Sequence, residues 1–147
     1  MHHSDLQMDC TTALRFHTGE IFFSSILRLV VIPILGMDFS QWILYEACLR
    51  PVILFHHSNV ALPEKFDRMF RALIVTPNMH RVHHSELRPE TDSNFSSVLS
   101  FWDRLFRSFK QRKDPKTLRY GLPYLKDEKW QSFLGMIETP WAKVGEA

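Results

Sequence analysis

Three histidines occupy five consecutive positions in HRVHHSELRPETD, residues 80–92, and this clustering restricts the fold more than any other feature of the chain. On a helix each residue advances about 100°, so positions i, i+3 and i+4 share a narrow arc. His80, His83 and His84 therefore point the same way. Imidazoles bunched without a metal would each need separate hydrogen-bond partners, whereas a transition metal satisfies them together, and neutral imidazole is its commonest side-chain ligand. The clustering recurs. The chain opens MHHSDLQMD, and His2-His3-Ser4-Asp5-Leu6 repeats the pattern His83-His84-Ser85-Glu86-Leu87, which sets Met1 opposite Val82. A third pair, His56-His57, is a weak signal alone, since such pairs are more often hydrogen-bonded structural residues than ligands. Seven of the eight histidines fall in these three clusters. The reading that unites them is a metal held by ligands from separate helix ends.

The rest of the chain reads as helical. Residues 21–35, IFFSSILRLVVIPIL, form an apolar run closed by Gly36, and residues 42–55, WILYEACLRPVILF, form a second. Each is shorter than the roughly 20 residues that span a bilayer and each carries charge, so hydropathy alone accommodates a soluble helical core and a membrane hairpin equally. Pro33 and Pro51 predict kinks or breaks, because proline removes a backbone donor and crowds the preceding turn. The spacing of Phe66, Met69, Phe70, Leu73 and Ile74 predicts an amphipathic helix over 63–75 opened by Pro63. Packing on a core is its ordinary fate, and lying in a membrane interface the rarer one. Thr76-Pro77 predicts a capped start for the helix that carries the later histidines. Further helices are expected over 96–109 and near 127–138. The basic run RSFKQRKD behind the first of these reads as a solvated helix exit or as a segment near lipid headgroups.

Composition removes several classes of function. With 147 residues and 45% hydrophobic content the chain can bury the core of one domain, and its formal charge of +2, with no basic stripe interleaved with aromatics, excludes nucleic acid as a partner. Cys10 and Cys48 fall outside any CxxC spacing, so neither a disulfide framework nor a cysteine zinc site is implied. No signal peptide is expected, for want of a basic region followed by an apolar core and a small-residue cleavage site. A zinc hydrolase would show an HExxH-like motif with its carboxylate base, and none is present. Histidine-rich ligation suits redox-active iron with positions open to oxygen.

The runs HHSDLQMDCTTALRFHTGE, FHHSNVALP, VTPNMHRVHHSELRPETDSNF and LSFWDRLF, covering residues 2–109 in order, resemble the fatty acid hydroxylase/sterol desaturase superfamily. The resemblance implies an all-α fold in which residues 21–58 form a membrane hairpin, 63–109 an interfacial cap and 110–147 a tail. It implies an integral membrane enzyme whose two irons, on the cytosolic face, use O2 and electrons from a reductase system to hydroxylate or desaturate a lipid. By that likeness His80, His83 and His84 are the final HxxHH motif, His2 and His3 end the middle motif, and His57 is a ligand with Asn59 beside it and His56 less secure. His17 matches the family's RFHPxE, with Thr18 in place of proline, as a residue beside the site. Asp92 and Asn94 would orient imidazoles. Ser96 and Arg107 stand where glycine is common. The first HxxxH motif and the first histidine of the middle motif have no counterparts, so the 147-residue chain by itself is expected not to hold two irons. The contrasting expectation is a catalytically inactive membrane fragment with residual or adventitious metal binding. The identity of the lipid, and the choice between hydroxylation and desaturation, are not encoded in these motifs.

Overall fold

The computed structural model describes residues 2–142; Met1, opposite Val82 in the repeat, and tail residues 143–147 lie outside them. Two long helices, α1 (Thr18–Ile34) and α2 (Phe39–His57), fold back on each other as a hairpin in which Arg28 meets Glu46 at 3.6 Å. Six short helices follow: α3 (Glu64–Phe70), α4 (Pro77–His83), α5 (Arg88–Thr91), α6 (Phe101–Leu105), α7 (Glu128–Gln131) and α8 (Phe133–Glu138). Among the described residues the only β-type pairing is two isolated bridges, Ile74 with Leu99 and Ser85 with Tyr120. The all-α expectation holds.

The hairpin is built by local chemistry. The His17 ring caps α1 by accepting the Gly19 N–H at 3.0 Å. Gly36 ends the helix at φ 68°, a left-handed conformation that costs glycine nothing, while Met37 N–H reaches back to the Ile32 carbonyl at 3.2 Å. Asp38 and Gln41 then close a reciprocal capping box on α2. Of the expected kinks or breaks, neither proline makes a break: both helices run through them. Pro33 lies at the very end of α1, where little helix remains to disrupt, and Pro51 leaves α2 continuous to His57.

The expected membrane hairpin needs correction. No helix among the described residues is long and apolar enough to cross a membrane. The 17 residues of α1 reach about 25 Å, short of the roughly 30 Å hydrocarbon core. The longer α2 carries Gln41, Glu46, Arg50, His56 and His57 within its length. Even so, α1 buries none of its residues, and Phe23, Leu29 and Ile34 are each at least 70% exposed.

The core lies around α4, whose neighbour Val75 and residues Met79 and Val82 are essentially inaccessible. Thr76 caps this helix and Pro77 occupies its first turn, as the sequence predicts. The polar side of α3 packs inward: Asp67 and Arg71 are buried and ion-paired, while Phe66, Met69 and Leu73 are exposed. This orientation is the reverse of core packing. The helix expected over 96–109 shrinks to α6, because residues 98 and 100 bond to the backbone of 73–75 instead. The Asp103 carboxylate takes the Phe95 and Ser96 N–H groups at 2.8 and 3.1 Å. Arg107, at φ 59°, sits in the left-handed region, which gives a physical reason for glycine at this position. The helix near 127–138 is split at Ser132, whose hydroxyl caps α8 through the Gly135 N–H at 3.1 Å.

Candidate metal centre

Seven histidines from the three sequence clusters converge. The C-terminus of α2 brings His56 and His57, α4 brings His80 and His83 with His84 at its C-cap, and a single 3₁₀ turn, His2–Ser4, brings His2 and His3. His2, His57, His80 and His84 each bring one ring nitrogen into a group whose members all lie within 4.8 Å of one another. Their Nε2 atoms form a chain of 3.1 Å contacts, His2 to His57, His57 to His80 and His80 to His84.

The His2–His57 contact is not an ordinary hydrogen bond. The His2 Nδ1–H donates to the Thr12 carbonyl at 2.9 Å and the His57 Nδ1–H to the Ile53 carbonyl at 2.8 Å. In a neutral imidazole one nitrogen carries the proton and the other the lone pair, so both facing Nε2 atoms present lone pairs. Two lone pairs at 3.1 Å repel unless a cation lies between them. Nitrogens each about 2.1 Å from one ion stand about 3.0 to 3.4 Å apart for angles between the right angle and the tetrahedral one. The observed spacing fits a shared metal.

A second group adjoins the first. The His3 ring lies 4.6 Å from that of His83 and 4.5 Å from that of His84. His83 gives its Nδ1–H to the Ser93 carbonyl at 2.7 Å, leaving Nε2 as a lone pair. The Nδ1 atoms of His3, His56 and His80 are buried without a hydrogen-bond partner, and His56 packs against His80 at 4.0 Å between ring centres. Buried polar atoms are normally paired, so orphan ring nitrogens in a histidine cluster fit further coordination.

Burial keeps the cluster neutral. Desolvation, aided by the neighbouring charges of His57 and His3, lowers the His2 imidazole to about 3, and desolvation with His83 nearby lowers His3 to about 4. His80 and His84 are held well below the ordinary value by burial and then by the surrounding histidines. Neutral rings with free lone pairs are the protonation state a metal requires.

The structure corrects the outer residues of the expected site. His17 is not a ligand, because Nδ1 is taken by the Gly19 N–H and Nε2 donates to the Ile137 carbonyl at 3.0 Å. Asn59 is exposed, and its Oδ1 accepts from Arg81 at 3.2 Å. Arg81 also reaches the Ser58 and Val60 carbonyls, so it ties the exit of α2 to α4. Asp92 forms a surface pair with Arg88 at 2.9 Å, and its charge acts on His83 without a hydrogen bond to the ring. Asn94, fully buried at φ 52°, donates to the Met79 and Lys110 carbonyls at 2.9 and 2.8 Å. It braces α4 rather than a ring. The groups that do orient imidazoles are carbonyls of Thr12, Ile53 and Ser93, which no residue-type pattern reveals.

Comparison with known proteins places this geometry in context. The family described as fatty acid hydroxylase matches the chain over residues 1–108. The ornithine lipid hydroxylase OlsE of Rhizobium tropici is 25% identical over 99% of this chain and 42% of its own length. Alkylglycerol monooxygenase of Homo sapiens is 26% identical, and that of Xenopus tropicalis 30%, each over 84% of this chain and 26% of its own length. The chain thus spans between about a quarter and two-fifths of these relatives. No solved structure matches it.

Proposed function

The chain belongs to the fatty acid hydroxylase family, and from that premise we propose that it is the histidine-bearing part of an O2-dependent oxidoreductase that hydroxylates a membrane lipid. The facing Nε2 lone pairs of His2 and His57 carry the reading, because they leave room for a cation and for little else. We assign iron to the site, held by His2, His57, His80 and His84, with His3, His56 and His83 toward a second ion. Bound iron would supply the O2 activation that C–H oxidation requires. The protein's part is positional. Carbonyls of Thr12, Ile53 and Ser93 hold the Nδ1 protons of three rings, which fixes each lone pair toward the centre. Phe16, stacked on His2 at 4.8 Å, and Phe95, edge-on to His83 at 5.5 Å, cover the rings with apolar surface and limit water.

Names of relatives point to polar lipids, an ornithine lipid and an alkylglycerol, as the substrate class. We place the protein at a membrane with its metal centre on the cytosolic face and an electron-donating reductase as partner. The support is the exposed apolar surface of α1 and α3, together with Trp102 and Phe106 on α6. A hairpin that enters and leaves the bilayer from one face needs neither helix to cross it. Hydroxylation is favoured over sterol desaturation by what these relatives are named for.

The test is iron content per chain after anaerobic loading of detergent-purified protein, beside a His83→Ala/His84→Ala variant. Iron bound by the chain and lost in the variant supports the reading. No iron in either sets aside a metal centre in this chain.

A further inference from the structure

Residues 119–137 lie beyond the segment matched by the family, and their sequence suggests no chemistry. In the structure they cross both His-His-Ser stretches at once. On the later stretch, Glu86 N–H donates to the Arg119 carbonyl at 2.8 Å, Ser85 bridges Tyr120, and Lys126 pairs with the Glu86 carboxylate at 2.5 Å. On the earlier one, Gly121 at φ 87° comes so close that a Cβ would stand 2.6 Å from Leu6 Cδ2 and 3.5 Å from the Ser4 carbonyl. Gln131 donates to the Ser4 carbonyl at 3.4 Å and to that of Leu125 at 3.0 Å. Leu125 anchors the crossing in the core at 2% exposure. The next helix returns to the same neighbourhood through the Ile137 carbonyl on His17.

The two stretches so joined carry the pairs His2-His3 and His83-His84, whose rings meet at 4.5 to 4.7 Å. The first pair sits on a three-residue 3₁₀ turn, and an element that short has little rigidity of its own. Its register against α4 needs an external tie.

We propose that residues 119–131 form a strap that sets the spacing between the His2-His3 and His83-His84 pairs, with Gly121 and Gln131 as positioning residues for the metal centre. The inference rests on reading the histidine cluster as that centre. A Cβ at position 121 meets the end of the Leu6 side chain and stands in contact with the Ser4 and Asp5 carbonyls, so a bulkier side chain at φ 87° loads the turn that carries His3, whereas metal ligands must be held to within about half an ångström. Replacing Gln131 by alanine deletes its contact with the Ser4 carbonyl without adding bulk.

The test uses the full chain in detergent, as wild type, Gly121→Val and Gln131→Ala, with Asp38→Ala at the far end of the hairpin as a control for general destabilisation. One readout needs no metal: the rate at which diethylpyrocarbonate modifies each histidine of the metal-free chain, resolved by mass spectrometry. The other is a Co2+ titration followed by the visible d–d band. We expect His3 to react several-fold faster in both strap variants, and Co2+ to bind about tenfold more weakly with an altered band, the scale of lost supporting contacts at metal sites. Asp38→Ala should change neither. Should Gly121→Val fail to fold, Gln131→Ala decides. Unchanged His3 reactivity in the folded strap variants overturns the strap, whether or not cobalt binds. Faster His3 modification in a chain that never binds cobalt keeps the strap and overturns the metal reading.

Discussion

Asp67 on α3 and Arg71 at its C-terminal cap, one turn on, are ion-paired inside the protein, while Phe66 and Met69 on the same helix face outward. Asp67→Ala leaves the buried guanidinium with only the exposed Glu64 as acid partner and should cost about 3 kcal/mol, read by chemical denaturation. Phe66→Ser/Met69→Ser should leave stability within about 0.5 kcal/mol yet weaken liposome flotation, since exposed positions matter little to folding. Equal flotation of that variant and the wild type would count against α3 as a membrane-facing surface.

His17 and His80 separate capping from coordination. His17→Ala removes an N-cap and should lower stability by about 1 kcal/mol with metal affinity unchanged. His80→Ala should abolish specific Co2+ or Fe2+ binding. In the wild type, free metal at 100 times its Kd should stabilise the fold by about 2.7 kcal/mol. A thermal melt with and without chelator checks all three, and weaker metal binding in His17→Ala would revive that residue as a ligand.

The cluster should make the metal-free chain acid-sensitive. His2 and His3 stand at about 3 and about 4 in the fold against 6.5 ordinarily, so between these values the unfolded chain binds more protons. Their contribution is therefore fully present above pH 6.5 and lost progressively as pH falls toward 4 and then 3. Melting temperature should fall steadily across that window and be flatter in His2→Gln/His3→Gln. A melting temperature that rises on acidification would contradict the burial described for these rings.

Three positions near α4 and α6 give a stability series. Asn94→Gly keeps the left-handed backbone but deletes the bonds to Met79 and Lys110, and should cost about 2 kcal/mol. Asp92→Ala, at an exposed pair, should stay within about 0.5 kcal/mol. Arg107→Gly relieves a left-handed arginine and should gain about 1 kcal/mol, less glycine's extra entropy. Urea denaturation of the three variants orders them, and Asp92→Ala as the most damaging would restore its expected role beside an imidazole.

Histidine clustering made the convergence of rings legible, because helical spacing announces which ring nitrogens share a face. His2, His57, His80 and His84 meet as the motifs imply. The orienting groups were illegible for a physical reason: Thr12, Ile53 and Ser93 act through carbonyls that every residue possesses. Asp92 and Asn94 marked the right loop, but Ser93 supplies the contact. Secondary structure was legible where a cap was explicit, at Thr76-Pro77, and misleading where periodicity was taken for length. Residues 96–109 have helical spacing, yet their backbone bonds to 73–75, a tertiary choice that local pattern does not encode.

If the histidine cluster holds the metal proposed above, its chain topology also constrains when that metal is acquired. His57 and His80 are 23 positions apart in the chain, whereas His2 and His57 are separated by 55. Each doubling of a closed loop adds only about 0.6 kcal/mol of entropy, so the longer closure is affordable at equilibrium but tends to be the slower one to find. The α2–α4 half of the centre can therefore form before the amino-terminal turn arrives, and the final nitrogens join late. An ion bound early meets an incomplete set of ligands and can exchange, while one present at the last closure is retained. On the metal reading proposed above, metal selection would be coupled to the order of folding.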